Sequence, residues 1–163
     1  MRLTKIKQQL NTVLEPFLLV LLTSLVLVVL WQVFSRYVLQ SPSTSTDEIA
    51  RFQLIWLALI GAAWVVGQKA HLAIDILPDK FMSRGDMRLH RLLYLLIFIF
   101  AFVVMIIGGL NLVQVTLTLK QYSTALQIPM GYIYLAIPLS GLLMSIYAIC
   151  HIFEDHQLTE QEG

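Results

Sequence analysis

The chain has 163 residues, of which 58% are hydrophobic and only 13% charged, with a formal net charge of +1. Soluble domains carry about 25% charged residues, so this composition excludes an ordinary soluble enzyme and points to lipid as the solvent. Nucleic acid is not among the expected partners. Four stretches, 16–35, 52–68, 92–119 and 121–153, contain no Lys, Arg, Asp or Glu, and each is long enough to cross a bilayer core, which takes roughly 17 to 25 residues of helix. Helices rather than barrel strands are expected from such lengths, because the backbone must satisfy its own hydrogen bonds in lipid. The fold class is therefore an all-α integral membrane protein, one domain over 1–163 with four transmembrane helices.

In chain order, the basic start MRLTKIKQQL precedes a long apolar run as a signal peptide would, but the run is too long and no small-residue cleavage site follows it. An uncleaved first helix is expected near 14–39, with Trp31 as an interfacial anchor and Arg36 close to its far end. The second helix is expected near 47–68, and Asp47, Glu48 and Arg51 stand at its start. Ser45 with Glu48 at i+3 fits a capping box, and Glu48 with Arg51 lies on one face and could form an ion pair. Along the same helix Trp56 and Trp64, eight apart and close to one face, accompany Gly61 and its flanking alanines Ala58 and Ala62. Large aromatics beside small residues predict a helix-packing seam.

Between helices two and three, HLAIDILPDKFMSRGDMRLHRLL mixes apolar and basic residues. It is expected as an interfacial segment in the headgroup layer, with Lys69, Arg84, Arg88 and Arg91 meeting membrane phospholipid. An ordinary loop whose charges only set topology remains equally open. A third helix near 90–119 carries Asn111, Gln114 and Thr118 on one face, which must meet protein or water. A fourth near 130–153 carries Gly141 and Ser145 at a spacing that lets backbones approach, and Cys150, which is alone and most simply packs.

Eight of the 11 basic residues, Arg2, Lys5, Lys7, Lys69, Lys80, Arg84, Arg88 and Arg91, fall on one side of these helices, against Arg36, Arg51 and Lys120 on the other. The positive-inside rule then puts both termini and the middle segment in the cytoplasm, N-in and C-in. No helix has a charge near its middle, the usual mark of an ion or substrate path, so the chain has no engine of its own. The rival is a haem- or quinone-associated membrane anchor of a respiratory enzyme, with His71, His90 and His151 as conceivable ligands. Their positions at helix ends argue against it, and no cofactor is expected in this chain.

The stretches WQVFSRYVL at 31–39, DEIARF at 47–52 and IWLALIGAAWVVGQKAHLAIDIL at 55–77 resemble the small, DctQ- or SiaQ-like membrane subunit of tripartite ATP-independent periplasmic (TRAP) transporters. The matching positions are Glu48, Arg51, Trp56, Gly61, Lys69, His71, Ile74 and Asp75. The family often places an aromatic and two adjacent acids before the Arg, where this chain has Ser45, Thr46, Asp47 and Glu48. The resemblance implies a non-enzymatic subunit of the bacterial inner membrane. It implies a large membrane subunit holding the sodium sites and the moving substrate domain, and a soluble periplasmic substrate-binding protein. The transporter would take up an organic acid, of the sialic acid or C4-dicarboxylate class, with sodium. Arg36, Asp47 and Arg51 would then belong to the landing surface for the binding protein, and Trp56, Gly61 and Trp64 to the seam with the large subunit.

Overall fold

The computed structural model describes residues 2–41, 43–68 and 87–161. Helix α1 runs Arg2–Tyr37 and α2 Thr44–Gly67. Helix α3 is continuous through three pieces, Met87–Phe100, a π-helical Ala101–Gly108 and Gly109–Thr118. Helix α4 comprises Met130–Tyr134 and Ala136–Gln161. Four of these segments are long and apolar enough to span a membrane: Lys7–Tyr37, Thr44–Gly67, Leu92–Thr118 and Met130–Ile152. Among the described residues the four expected spans appear in the expected order. The basic start continues α1 rather than preceding it. The interfacial segment with Lys69 and Arg84, and His71, lies outside the described residues, as do the side chains of Arg88, His90 and Arg91.

Two helices depart from the regular form expected for them. In α4 the break at Leu135 follows from Pro138, which has no amide hydrogen to give the Tyr134 carbonyl. In α3 the π-helical segment Ala101–Gly108 interrupts the regular helix, and Ala101, Met105 and Gly109 are buried on the side facing α4. Gly141 of α4 presses into this segment. A Cβ there would lie 2.6 Å from Met105 Cβ and 3.0 Å from the Ala101 carbonyl oxygen, so only glycine permits the approach.

The helices form an open layer in the order α1–α2–α4–α3 rather than a closed bundle. Helix α1 packs on α2, α2 on α4, and α4 on α3, whereas α1 and α3 do not meet among the described residues. One core gathers Leu14, Ile60 and Tyr147, surrounded by Leu10, Leu18, Trp56, Trp64, Val66 and Leu143. Here Gly67 allows α4 to approach, because a Cβ on it would lie 2.6 Å or less from three atoms of the Tyr147 ring. The second contact layer joins α3 to α4, where Gly109 sits against Ile137 and Pro138. Ser140 and Ser145 are buried there with their hydroxyls donating to the carbonyls of Ile137 and Gly141.

Polar bonds also tie neighbouring helices of the layer together. Gln53 of α2 donates to Ser24 Oγ of α1 at 3.0 Å, and Tyr147 of α4 donates to Asn11 Oδ1 of α1 at 2.7 Å. His151 is buried rather than solvated, stacked on Tyr94 with ring centroids 4.7 Å apart and 3.4 Å from Lys7 Nζ. Cys150 is buried in the same region.

Candidate functional site

The polar end that carries Arg36, the start of α2 and the loop from 119 to 129 is the candidate site. Its loop is compact. Tyr122 and Pro129 form an antiparallel bridge, Ser123 N donates to the Ile128 carbonyl at 2.9 Å, and Met130 N donates to the Gln121 carbonyl at 2.9 Å. Lys120 and Gln127 take left-handed backbone angles, φ 50° and 55°, which turn the chain back toward α2.

Glu48 reaches into this loop. Its carboxylate accepts from Ser123 Oγ, from Thr124 Oγ1 at 2.6 Å, and from the amides of Ala125 and Leu126 at 3.0 Å each. Charge-assisted bonds of this kind are the strong ones, so one side chain fastens the α3–α4 loop to α2. The expected capping box therefore does not form. Helix α2 starts at Thr44 after Ser43, no side chain caps it, and Glu48 points away from its own first turn.

The expected Glu48–Arg51 ion pair is also replaced. Arg51 pairs instead with Asp47 at 2.6 Å, one helical turn away at i, i+4, because the loop already occupies Glu48. The second Asp47 oxygen accepts from Gln32 Nε2 of α1 at 3.0 Å. With both oxygens engaged, Asp47 does not compensate Arg36. Among the described residues Arg36 and Lys120 are the cations of this end with no carboxylate within 4 Å. Arg36 is exposed beside a hollow of about 160 Å³ lined also by Gln32, Ser43, Thr44 and Asp47. Its donors and the two hydroxyls suit a carboxylate presented from outside the chain.

Of the expected packing trio on α2, Trp56 and Trp64 turn inward onto the Leu14, Ile60 and Tyr147 core. Gly61 faces open space, with nothing within 4 Å of a Cβ built on it. It lines an apolar groove of about 570 Å³ between α1 and α2, with Leu18, Leu22 and Leu57. The close helix approach uses Ala63 and Gly67 instead, whereas Ala58 and Ala62 are exposed.

Sequence reasoning missed the Glu48 latch and the Gln32–Asp47 and Gln53–Ser24 bonds. Adjacent hydroxyls at Ser123 and Thr124 were the visible signal, but no spacing rule links them to a carboxylate 75 residues away.

The profile of the family described as tripartite ATP-independent periplasmic transporters, DctQ component, matches residues 25–158. A Haemophilus influenzae protein that bears the name of a TRAP transporter small permease protein is 28% identical over 142 residues, covering 87% of this chain and 86% of the relative. The sialic acid TRAP transporter small permease protein SiaQ of Vibrio cholerae is 27% identical over 89 residues, 55% of this chain and 51% of that protein. The isethionate TRAP transporter permease protein DctMQ of Oleidesulfovibrio alaskensis is 25% identical over 138 residues, 81% of this chain but 22% of that longer protein.

Proposed function

Because the chain belongs to the DctQ component family of TRAP transporters, we propose that it is the small permease subunit that braces a large membrane subunit and helps a periplasmic substrate-binding protein land. The observation that carries this reading is the family match over 25–158, which takes in the last three spans whole and the second part of the first. The permease DctMQ supports a large membrane partner, since a segment like this chain is there one part of a longer permease polypeptide. Transport is of an organic acid, of the sialic acid or C4-dicarboxylate class, coupled to sodium held by the large subunit. Relatives named for sialic acid and isethionate support an anionic organic substrate. Both termini face the cytoplasm, as the distribution of basic residues favours. Membrane phospholipid meets the basic residues Lys69, Arg84, Arg88 and Arg91 on that side.

The end with Arg36 then faces the periplasm. There Arg36, flanked by the Asp47–Arg51 pair, meets an acidic side chain of the binding protein, and the Glu48 latch holds the rim in shape. The groove at Gly61 is the part of the expected α2 seam left open for side chains of the large subunit. Rim charges act mainly on association rate and salt dependence. Vesicles containing both membrane subunits, supplied with the binding protein, test the landing surface: Arg36→Glu lowers initial uptake and flattens its dependence on salt. Uptake and salt dependence both unchanged would remove Arg36 from the landing surface.

A further inference from the structure

We propose that the outward face of α3 at Asn111 and Gln114 is a docking surface for a transmembrane helix of the large permease subunit, which supplies hydrogen bonds that lipid cannot. The proposal rests on the small-subunit reading above and adds where the partner sits. Helix α3 buries Gly109, Val113 and Thr116 toward α4. Asn111 stands roughly 200° around the helix from Gly109, so its side chain points away from the protein. Asn111, Gln114 and Thr118 are all exposed, on an edge helix with no neighbour beyond it among the described residues.

Depth makes this exposure costly. Thr118 ends the span Leu92–Thr118, and Asn111 lies seven residues inside it, about 10 Å along the axis. The 27-residue span is about 40 Å long against a hydrocarbon core of about 30 Å, so Asn111 lies about 5 Å inside the hydrocarbon and Gln114 at its edge, where an unpaired donor and acceptor are unfavourable. Thr118 satisfies its hydroxyl on the Gln114 carbonyl at 2.7 Å. The side-chain amides of Asn111 and Gln114 have no hydrogen-bond partner among the described residues. Gly108, next to this stripe, is open to close approach, since a Cβ on it would meet only the Val103 carbonyl at 3.9 Å.

The other edge, α1, is the comparison: there Thr23 is exposed and Ser24 turns toward α2. On α1 the mid-span polar groups are satisfied within the chain: Thr23 donates to the Leu19 carbonyl, and Ser24 donates to the Leu21 carbonyl while accepting from Gln53. The occupant of the α3 face must carry polar groups at membrane depth, which excludes a soluble protein and a lipid tail. The DctMQ relative, in which a segment like this chain belongs to a longer permease, favours the large subunit over a second copy.

The test uses membranes containing both subunits, with a photocrosslinking amino acid replacing Asn111, Gln114 or, as the control, Leu27 on the exposed side of α1. The expected result is adducts with the large subunit from 111 and 114 and none from 27. In parallel, Asn111→Leu with Gln114→Leu lowers retention of the large subunit in mild detergent by about tenfold. The variant alone stays monodisperse, because leucine suits a lipid face, and Asn111→Gln retains the complex. Full retention by the double leucine variant, adducts only between two copies of this chain, or adducts only from Leu27 would each overturn the proposal. Those outcomes leave the small-subunit reading standing, provided that the unmodified chain retains the large subunit. An unmodified chain that never retains it would overturn both.

Discussion

Helices α1 and α4 are both long, apolar membrane spans, yet only 6% of the most apolar stretch of α1 is buried within the protein, against 50% for α4. Helix α1 is the more apolar of the two by mean hydropathy. In water that order would be reversed, because burial follows apolarity there. In lipid, apolar side chains gain nothing by facing protein, and close packing of small residues and polar bonds decides which helix is central. Helix α4 has the means for both: Gly141 against Met105, buried Ser140 and Ser145, and Tyr147 bonded to Asn11. Helix α1 is tied in on one side only, by Leu10, Leu14 and Leu18 at the core and by the polar contacts of Asn11, Ser24 and Gln32.

The comparison can be broken most sharply at two glycines of α2. Gly67→Leu forces a side chain into the Tyr147 ring and should cost about 3 kcal/mol or more, seen as early unfolding or aggregation in detergent. Gly61→Leu meets open groove and should leave the melting temperature of the isolated chain within about 2 °C. Under the proposed role it loosens the large subunit instead. Equal losses of stability at both sites would mean that the α2–α4 seam is not the tight one.

A smaller effect is expected at the rim. Glu48→Ala removes the acceptor of the Ala125 and Leu126 amides, whose hydrogen exchange should quicken by roughly tenfold while amides of the α2–α4 core hold their protection. Tyr147→Phe deletes the bond to Asn11 and should cost about 1 kcal/mol in denaturant unfolding. The smallest change is predicted on the open edge. Leu27→Ala, at a side chain 61% exposed, should stay within about 0.5 kcal/mol of the parent protein, since little packing is lost. A cost of about 2 kcal/mol there would show that α1 has a protein neighbour on its outer side.

The candidate site was legible in part. Asp47, Glu48 and Arg51 stood out as charges at the door of an apolar run, and their importance to that end was readable. Their partners were not. Local rules pair Glu48 with Ser45 or Arg51 because those are near in sequence, whereas the loop at 123–126 offers two hydroxyls and two amides at once. The Trp56 and Trp64 positions were recognised as packing residues, but the seam they serve is internal to α1, α2 and α4.

Four spans follow from composition and run length alone, because the thickness of a bilayer and the need to satisfy the backbone leave no other solution. The Asn111, Gln114 and Thr118 stripe likewise follows from helical periodicity. The order of the helices, the openness of the layer and the outward aim of that stripe were decided only in three dimensions. In a lipid solvent hydropathy does not distinguish a face that meets tails from one that meets protein. That choice rests on where a glycine admits a neighbour, as at Gly67 and Gly141, and where a polar side chain finds its partner, as Glu48 does across 75 residues.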